Sequence, residues 1–394
     1  MLLLLALILG RSRVTARASL HIAAAPAHVF SLVTPHDGKL MDWGRSRVTT
    51  RLHDADRQIY HMLYESLFTS GARHQSEAYF RVAHREDNAQ LELEREGLEG
   101  RSPNNELLRI TYHLTPEGDG TRLAIAHHWG PRLLIAQLLA RSDLWGGIWR
   151  LKTLAETGKP SERMHHLIHA GVALVTGLLS LLAFALFWGP GMAIMLLAAL
   201  LIHEFGHLLA YRLMGQGWGK LIFLPFLGAI AVPRLPFQSQ GQAVFAALMG
   251  PGLSTLAAIA IALPTMLGHS LPLPLLILGF VMVGLNLFNL IPVEPLDGGI
   301  ALRSILARLM GQRAKYGLIT MGAVIALAGL LLKATIIIVF GVIAMVLNLK
   351  TRPIDRGIVP LSSLEIAIAA FSYMAMLTAY LTLFKMFLTA TPQL

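Results

Sequence analysis

The sequence predicts two unlike halves: an α+β soluble domain, then a polytopic α-helical membrane domain of about seven spans. Two observations carry that prediction. Charge is unevenly spread over the 394 residues: residues 1–160 hold 20 Lys+Arg and 17 Asp+Glu, whereas the remaining 234 hold 13 and 6. Near the same place the apolar pattern changes from short alternating segments to runs of about 20 residues, the length that crosses a bilayer. The expected divisions are residues 1–17, an apolar N-terminal segment and possible partial span; 18–160, the soluble domain; 161–350, the membrane core; and 351–394, an additional C-terminal span.

Composition excludes several chemistries. The chain has no cysteine, so disulfides, thiolate metal sites and cysteine nucleophiles are ruled out, and any metal must be held by His, Asp or Glu. The net charge is +10, but the basic residues are scattered or sit beside apolar spans, with no Arg/Lys stripe interleaved with aromatics. Positive-inside anchoring accounts for them better than a nucleic-acid partner, and none is expected.

The opening ten residues are apolar but cover only about 15 Å as a helix. A cleaved signal would carry its basic residues before the apolar stretch, whereas here Arg11, Arg13 and Arg17 follow it. Residues 18–22 then read as a strand and 26–33 as a short helix opened by Pro26. Alternating segments follow at 45–53, 58–68, 75–84, 89–95, 107–115 and 121–129, separated by turn signals such as Glu117-Gly118-Asp119-Gly120. Residues 131–157 form one long amphipathic helix with Leu134, Leu138, Trp145, Ile148 and Leu151 among its apolar positions.

Strand, short helix, antiparallel strands and closing helix form a helix-grip-like α+β pattern. Together with the start Ile22-Ala23-Ala24-Ala25-Pro26-Ala27-His28-Val29-Phe30, this order resembles the START-like, polyketide-cyclase-like (SRPBCC) superfamily over residues 18–157. The resemblance implies an enclosed apolar cavity for a hydrophobic ligand, and a packed regulatory or docking domain is the alternative. His127 and His128 lack metal-ligand spacing and are expected on the surface.

Spans are expected at 166–188, 191–214, 243–266, 272–291 and 362–388. The run 317–349 would be roughly 50 Å long as one helix, against roughly 30 Å of hydrocarbon. Residues 301–316 carry Arg303, Arg308, Arg313 and Lys315 with no acid, and 350–356 carry Lys350, Arg352 and Arg356 with one Asp355. If both loops are cytoplasmic, an even number of crossings separates them, so 317–349 reads as two spans turning near Lys333. The soluble domain then faces the cytoplasm and the protein is a multi-pass membrane protein. His165, His166 and His169, at the head of the first span, include an i,i+4 pair that in principle could bind metal, but their interfacial placement favours snorkelling or contact with lipid headgroups.

Within the second span stands His203-Glu204-Phe205-Gly206-His207. Helical spacing puts His203 and His207 one turn apart on one face, where two imidazoles can grip one Zn²⁺ while Glu204 acts on water. Three ionisable groups in an apolar helix are costly unless paired, solvated or metal-bound. A catalytic zinc site takes a third protein ligand and keeps one position open. Of the remaining acids in this half, Glu162, Glu294, Asp297, Asp355 and Glu365, only Glu294 and Asp297 lie at a span end beside helix breakers. The segment is Asn289-Leu290-Ile291-Pro292-Val293-Glu294-Pro295-Leu296-Asp297-Gly298-Gly299, and acid chemistry alone leaves either carboxylate open.

His-Glu-Phe-Gly-His in one span, with Asn-x-x-Pro and Leu-Asp-Gly-Gly ending a later one, resembles the site-2 protease family of intramembrane zinc metalloproteases. The likeness covers residues 164–350 and extends to Met249-Gly250-Pro251-Gly252-Leu253-Ser254 and to a membrane-embedded hairpin between Leu221 and Pro233. It implies His203, His207 and Asp297 as zinc ligands, Glu204 as catalytic acid/base, a single-span membrane protein as substrate and the lipid bilayer as surroundings. Glu294 then takes a supporting place. Asn289 is a candidate donor to the developing oxyanion, or a partner for backbone freed by Pro292. The competing function is a membrane-tethered protein that binds a lipid or other hydrophobic ligand, with a non-proteolytic membrane half. A zinc enzyme acting on a non-peptide lipid would keep the same ligands.

Overall fold

The computed structural model describes residues 11–42, 46–67, 73–97, 107–226, 228–349 and 358–390. The chain divides into two compact units, Met1–Val172 and Ala173–Leu394. The apolar opening, residues 1–10, lies outside the described residues, as does most of the basic segment 350–356 that entered the orientation argument.

The first unit is an antiparallel sheet with helices. Its strands are β1 (Arg11–Ile22), β2 (Leu40–Asp42), β3 (Ser46–Asp54), β4 (Ile59–Leu67), β5 (Arg73–Glu86), β6 (Gln90–Glu96), β7 (Leu107–Glu117) and β8 (Gly120–Leu133). They order as β1-β8-β7-β6-β5-β4-β3-β2, so β1 pairs with the last strand and the remainder form a meander. Helix α1 (Pro26–Val33) follows β1, and α2 (Leu134–Thr157) closes the unit. Strand β1 begins at Arg11, inside the segment expected to precede the domain. Val14, Ala16 and Ala18 are buried at period two while Arg13 and Arg17 face out, and small apolar residues alternating with arginine give a weak strand signal. The sequence also gave no sign of β2, which is three residues long with Leu40 and Asp42 exposed.

Leu144, Ile148 and Leu151, at i, i+4 and i+7 of α2, pack into a core with Phe80, Leu91 and Leu123. Fully burying side chains of this kind contributes about 1.5–3 kcal/mol each. Lys39 Nζ donates to the carbonyls of Ser31, Leu32 and Thr34 at the end of α1, where helical partners run out. Burial holds this lysine down to about 8. A cavity of about 450 Å³ remains inside the unit, lined by Met62, Tyr64, Tyr112, Ile125, His127 and Ile148 among others. Burial pushes Tyr64 up to about 12. His127 lines this cavity rather than the expected surface; its burial, and then the neighbouring His128, hold it down to about 4.

The long helix α3 (Arg163–Leu213) begins in the first unit and runs on in the second, where it is interrupted at Gly189, whose φ of 81° and ψ of 161° are non-helical and which precedes Pro190. The hairpin β9 (Lys220–Leu224) and β10 (Gly228–Val232) follows. Next come α4 (Gln240–Met266), α5 (Leu273–Asn289), α6 (Asp297–Met310), α7 (Ala314–Leu331), α8 (Thr335–Leu349) and α9 (Ser363–Ala390). The turn between α7 and α8 holds Lys333 at φ 53°.

Among the described residues, four helical stretches are long and apolar enough to cross a membrane: Arg163–Leu213, Gln240–Met266, Asp297–Leu331 and Ser363–Ala390. About seven spans were expected. Two of those share α3 on either side of Gly189, and two others correspond to the shorter apolar helices Leu273–Asn289 and Ile337–Leu349. Leu174, Leu186, Phe187, Phe371 and Leu388 are exposed on these helices, while Met282, Leu290, Tyr380 and Phe387 are buried between them. Helices that are apolar outside as well as inside are solvated by lipid rather than water.

Candidate metal centre

The second segment of α3 carries His203, Glu204 and His207, all buried. The two rings are one turn apart, with centroids 4.8 Å apart and planes at 79°. Asn286 on α5 fixes the first ring: its Nδ2 donates to Met282 O at 2.7 Å, so its Oδ1 accepts from His203 Nδ1 at 2.8 Å. Ala246 O on α4 accepts from His207 Nδ1, also at 2.8 Å. With both Nδ1 atoms donating, each Nε2 presents a lone pair, and the two face each other at 3.1 Å.

Asp297 Oδ2 completes the group, 3.2 Å from His203 Nε2 and 3.5 Å from His207 Nε2. Asp297 is the first residue of α6, brought there by the turn after α5. Two buried hydrogen bonds hold that turn: Asn348 Nδ2 donates to Pro292 O at 2.8 Å and the Tyr373 hydroxyl to Leu290 O at 2.5 Å. Gly298 packs against the Leu290 backbone so closely that a methyl group there would overlap it. Gly250 on α4 leaves room for the His207 ring in the same way.

This donor set fits Zn²⁺, the expected cofactor. Two converging lone pairs and a carboxylate oxygen in an apolar interior call for a cation, and imidazole plus carboxylate suits zinc. The hydrogen bonds on both Nδ1 atoms fix the tautomer that ligation requires. Asp297 Oδ2 and Glu204 Oε2 are buried without a hydrogen-bond partner, as oxygens meant for a metal or for water would be. His203, Glu204 and His207 also offer ligand atoms within 4.8 Å of one another.

The structure thus brings His203, His207, Asp297 and Glu204 together. Glu294, the other open acid, is turned to Arg303, whose Nη1 donates to it. Asn289 does not reach the group by any hydrogen bond among the described residues. Its Nδ2 donates one hydrogen to Leu285 O, 3.1 Å away in its own helix. Sequence reasoning missed Asn286, the amide that does reach the centre. The available signal was a polar residue inside an otherwise apolar helix.

The hairpin lies beside this group. The Tyr211 hydroxyl, one turn beyond His207, donates to Ala231 O at 3.1 Å, and the Ala231 backbone amide bonds to Glu204. Residues 221–233 were expected to form such a hairpin, and all but Leu227 are described.

No family model matches the chain. Among curated proteins it is 29% identical over 173 residues to "Zinc metalloprotease MJ0392" of Methanocaldococcus jannaschii, 42% of this chain and 47% of that protein. It is 35% identical over 129 residues to "Putative zinc metalloprotease sll0528" of Synechocystis sp., 31% of this chain and 33% of that protein. The chain therefore spans a third to a half of the length of these relatives. Among solved structures, the site-2 protease of Methanocaldococcus jannaschii matches at 21% identity and TM-score 0.31, covering 46% of this chain and 88% of that one. Protein CV1439 of Chromobacterium violaceum matches at 19% identity and TM-score 0.29, covering 36% and 96%. Over part of its length the chain is similar to proteins named zinc metalloproteases.

Proposed function

We propose that this chain is an intramembrane zinc metalloprotease that hydrolyses a peptide bond in or near a transmembrane segment of a membrane-protein substrate. The observation that carries this reading is the convergence of His203 Nε2, His207 Nε2 and Asp297 Oδ2 beside the buried Glu204 carboxylate. Similarity to zinc metalloproteases over 31% and 42% of the chain supports it.

In this reading His203, His207 and Asp297 are the metal ligands. Zinc held there supplies Lewis acidity to the attacking water and to the scissile carbonyl. Asn286 and Ala246 keep the two imidazoles in the ligating tautomer. Glu204 takes a proton from the attacking water as the new C–O bond forms, and delivers it to the departing amine nitrogen as the C–N bond breaks. A helical substrate hides its peptide bonds, so the segment to be cut must unwind. The edge of β10 that carries Ala231 faces Glu204, and an extended segment adding to that edge would lie against the catalytic carboxylate.

The N-terminal unit is the regulatory part of this proposal. Its cavity of about 450 Å³ suits a hydrophobic ligand. The cluster Arg303, Arg308, Arg313 and Lys315 without an intervening acid supports a cytoplasmic location for the soluble domain. The chain lacks cysteine, so single cysteines introduced on β3 can be labelled from either side of a vesicle to test this.

The cavity also favours a second reading, a membrane-tethered ligand-binding protein. One substitution separates the two. Glu204→Gln should keep its zinc and lose cleavage of a model single-span substrate by about 100-fold or more. Undiminished cleavage in that variant would remove Glu204 from the reaction. A hydrophobic ligand copurifying with a zinc-free wild type would favour the second reading.

A further inference from the structure

We infer that the first unit carries a second transition-metal site, formed by Asp143 on α2 with His165 and His169 on the first two turns of α3. Their ligand atoms all lie within 4.8 Å of one another. His169 Nε2 stands 3.2 Å from Asp143 Oδ1. The His165 and His169 rings have centroids 4.5 Å apart and planes at 71°, nearly the arrangement of His203 and His207 at 4.8 Å and 79°. Both pairs are spaced i, i+4 on a helix, and each meets one aspartate from another helix.

The surroundings are shaped for this group. The first span was expected to begin at an interface where these histidines reach lipid or water. His165 and His169 are instead buried to 9% exposure, whereas His166 between them points out beside Glu162. Gly146, almost one turn beyond Asp143 on α2, makes room for the His165 ring, because a methyl group there would overlap its Nδ1. Burying two imidazoles against a carboxylate requires a proton or a metal between them, and three converging donors favour the metal.

Two nitrogen donors and one carboxylate select Zn²⁺ or a neighbouring transition ion over Mg²⁺ and Ca²⁺, which prefer oxygen. The Asp143 side chain is 44% exposed, so solvent can supply the remaining ligand and the ion can exchange. Asp143 also lines the cavity of this unit. The ion therefore ties α2 to the head of α3 at the wall of the ligand cavity.

The test uses the full chain in detergent, in a His203→Gln/His207→Gln background that empties the other centre. Its outcome is thus independent of the protease proposal. The protein is stripped with chelator, reloaded with Zn²⁺, desalted and analysed for metal. One equivalent per chain is expected to remain, and to disappear when His165→Gln and His169→Gln are added. Asp143→Asn, which preserves shape, is expected to weaken zinc binding about 10–100-fold and to lessen the zinc-induced rise in melting temperature at a fixed zinc concentration. Gly146→Ala should weaken binding by about 10-fold through the His165 ring. The background binding no zinc, or zinc retained with unchanged affinity in both the double-histidine and Asp143→Asn variants, would overturn the assignment.

Discussion

Asn286 offers the sharpest test of how the buried centre is built. Its amide lies between two partners, donating to Met282 O and accepting from His203 Nδ1, both under 3 Å. Asn286→Leu keeps the volume and removes both bonds. Met282 O loses little, because a helical carbonyl retains its main-chain partner, but His203 Nδ1–H is left buried with no acceptor. An orphaned buried donor costs about 1–3 kcal/mol, and the ring is also free to change tautomer, which would turn a protonated Nε2 toward the metal. Loss of a partner behind a ligating histidine typically weakens metal binding about 10–100-fold, or about 1.4–2.8 kcal/mol, in the same range. The assay is competitive zinc titration of detergent-purified wild type and Asn286→Leu, with melting temperature as a control for folding. Asn286→Gln, which carries an amide on a longer arm, should recover part of the affinity. Zinc affinity within about twofold of wild type in a folded Asn286→Leu protein would refute the argument that this amide holds the ring for ligation.

Other substitutions probe neighbouring parts. Gly250→Ala places a methyl group against the His207 ring and should lower zinc affinity by about 10-fold, read in the same titration. Tyr211→Phe frees Ala231 O at the hairpin edge; a bond worth about 1 kcal/mol then no longer competes with substrate, and KM should fall about fivefold with kcat little changed. An unchanged KM would detach that edge from substrate binding. Ile148→Ala empties a fully buried position under the sheet and should destabilise the first unit by about 2–5 kcal/mol, measured by denaturant unfolding. His127 is held down to about 4 in the fold against 6.5 when exposed, so between these values the unfolded chain binds more protons. Its contribution to stability is present above pH 6.5 and lost as the pH falls toward 4, and melting temperatures of His127→Phe should show a flatter acid limb.

How much could be read in advance depended on whether the determining contacts were local. His203 and His207 are legible because helical spacing alone puts them on one face. Asp297 stood out because proline and glycine broke the helix beside it; acid chemistry alone left it level with Glu294, the family resemblance favoured it, and in the fold it lies beside the two histidines while Glu294 meets Arg303. Asn286 and Asn289 look alike in sequence, both polar and both near the end of one helix. Three residues correspond to about 300° of helical rotation, and that offset sends one amide to His203 and the other back to its own helix. The early start of β1 was hidden because its pairing with β8 bridges more than a hundred residues. His165 and His169 share a face by helical spacing, but their place at the head of a span favoured an interface, and the acid beside them, Asp143, lies on a different helix.

The two His-His-Asp groups differ chiefly in how their carboxylates are solvated, and under the two proposals that difference separates their roles. Asp297 keeps 12% of its side chain exposed and Asp143 keeps 44%. At the inner group the ligands are shielded and a second buried carboxylate, Glu204, stands beside them, so a proton can be taken and returned without loss to bulk water. At the outer group no further carboxylate joins the three donor atoms among the described residues, and water has ready access to the aspartate. An ion there would exchange with solvent and have no base to work with, which suits a fastening role rather than hydrolysis. Zinc analysis with Glu204→Gln separates the roles: the substitution should leave both equivalents bound while abolishing cleavage, and cleavage that instead followed occupancy of the outer group alone would reverse the assignment.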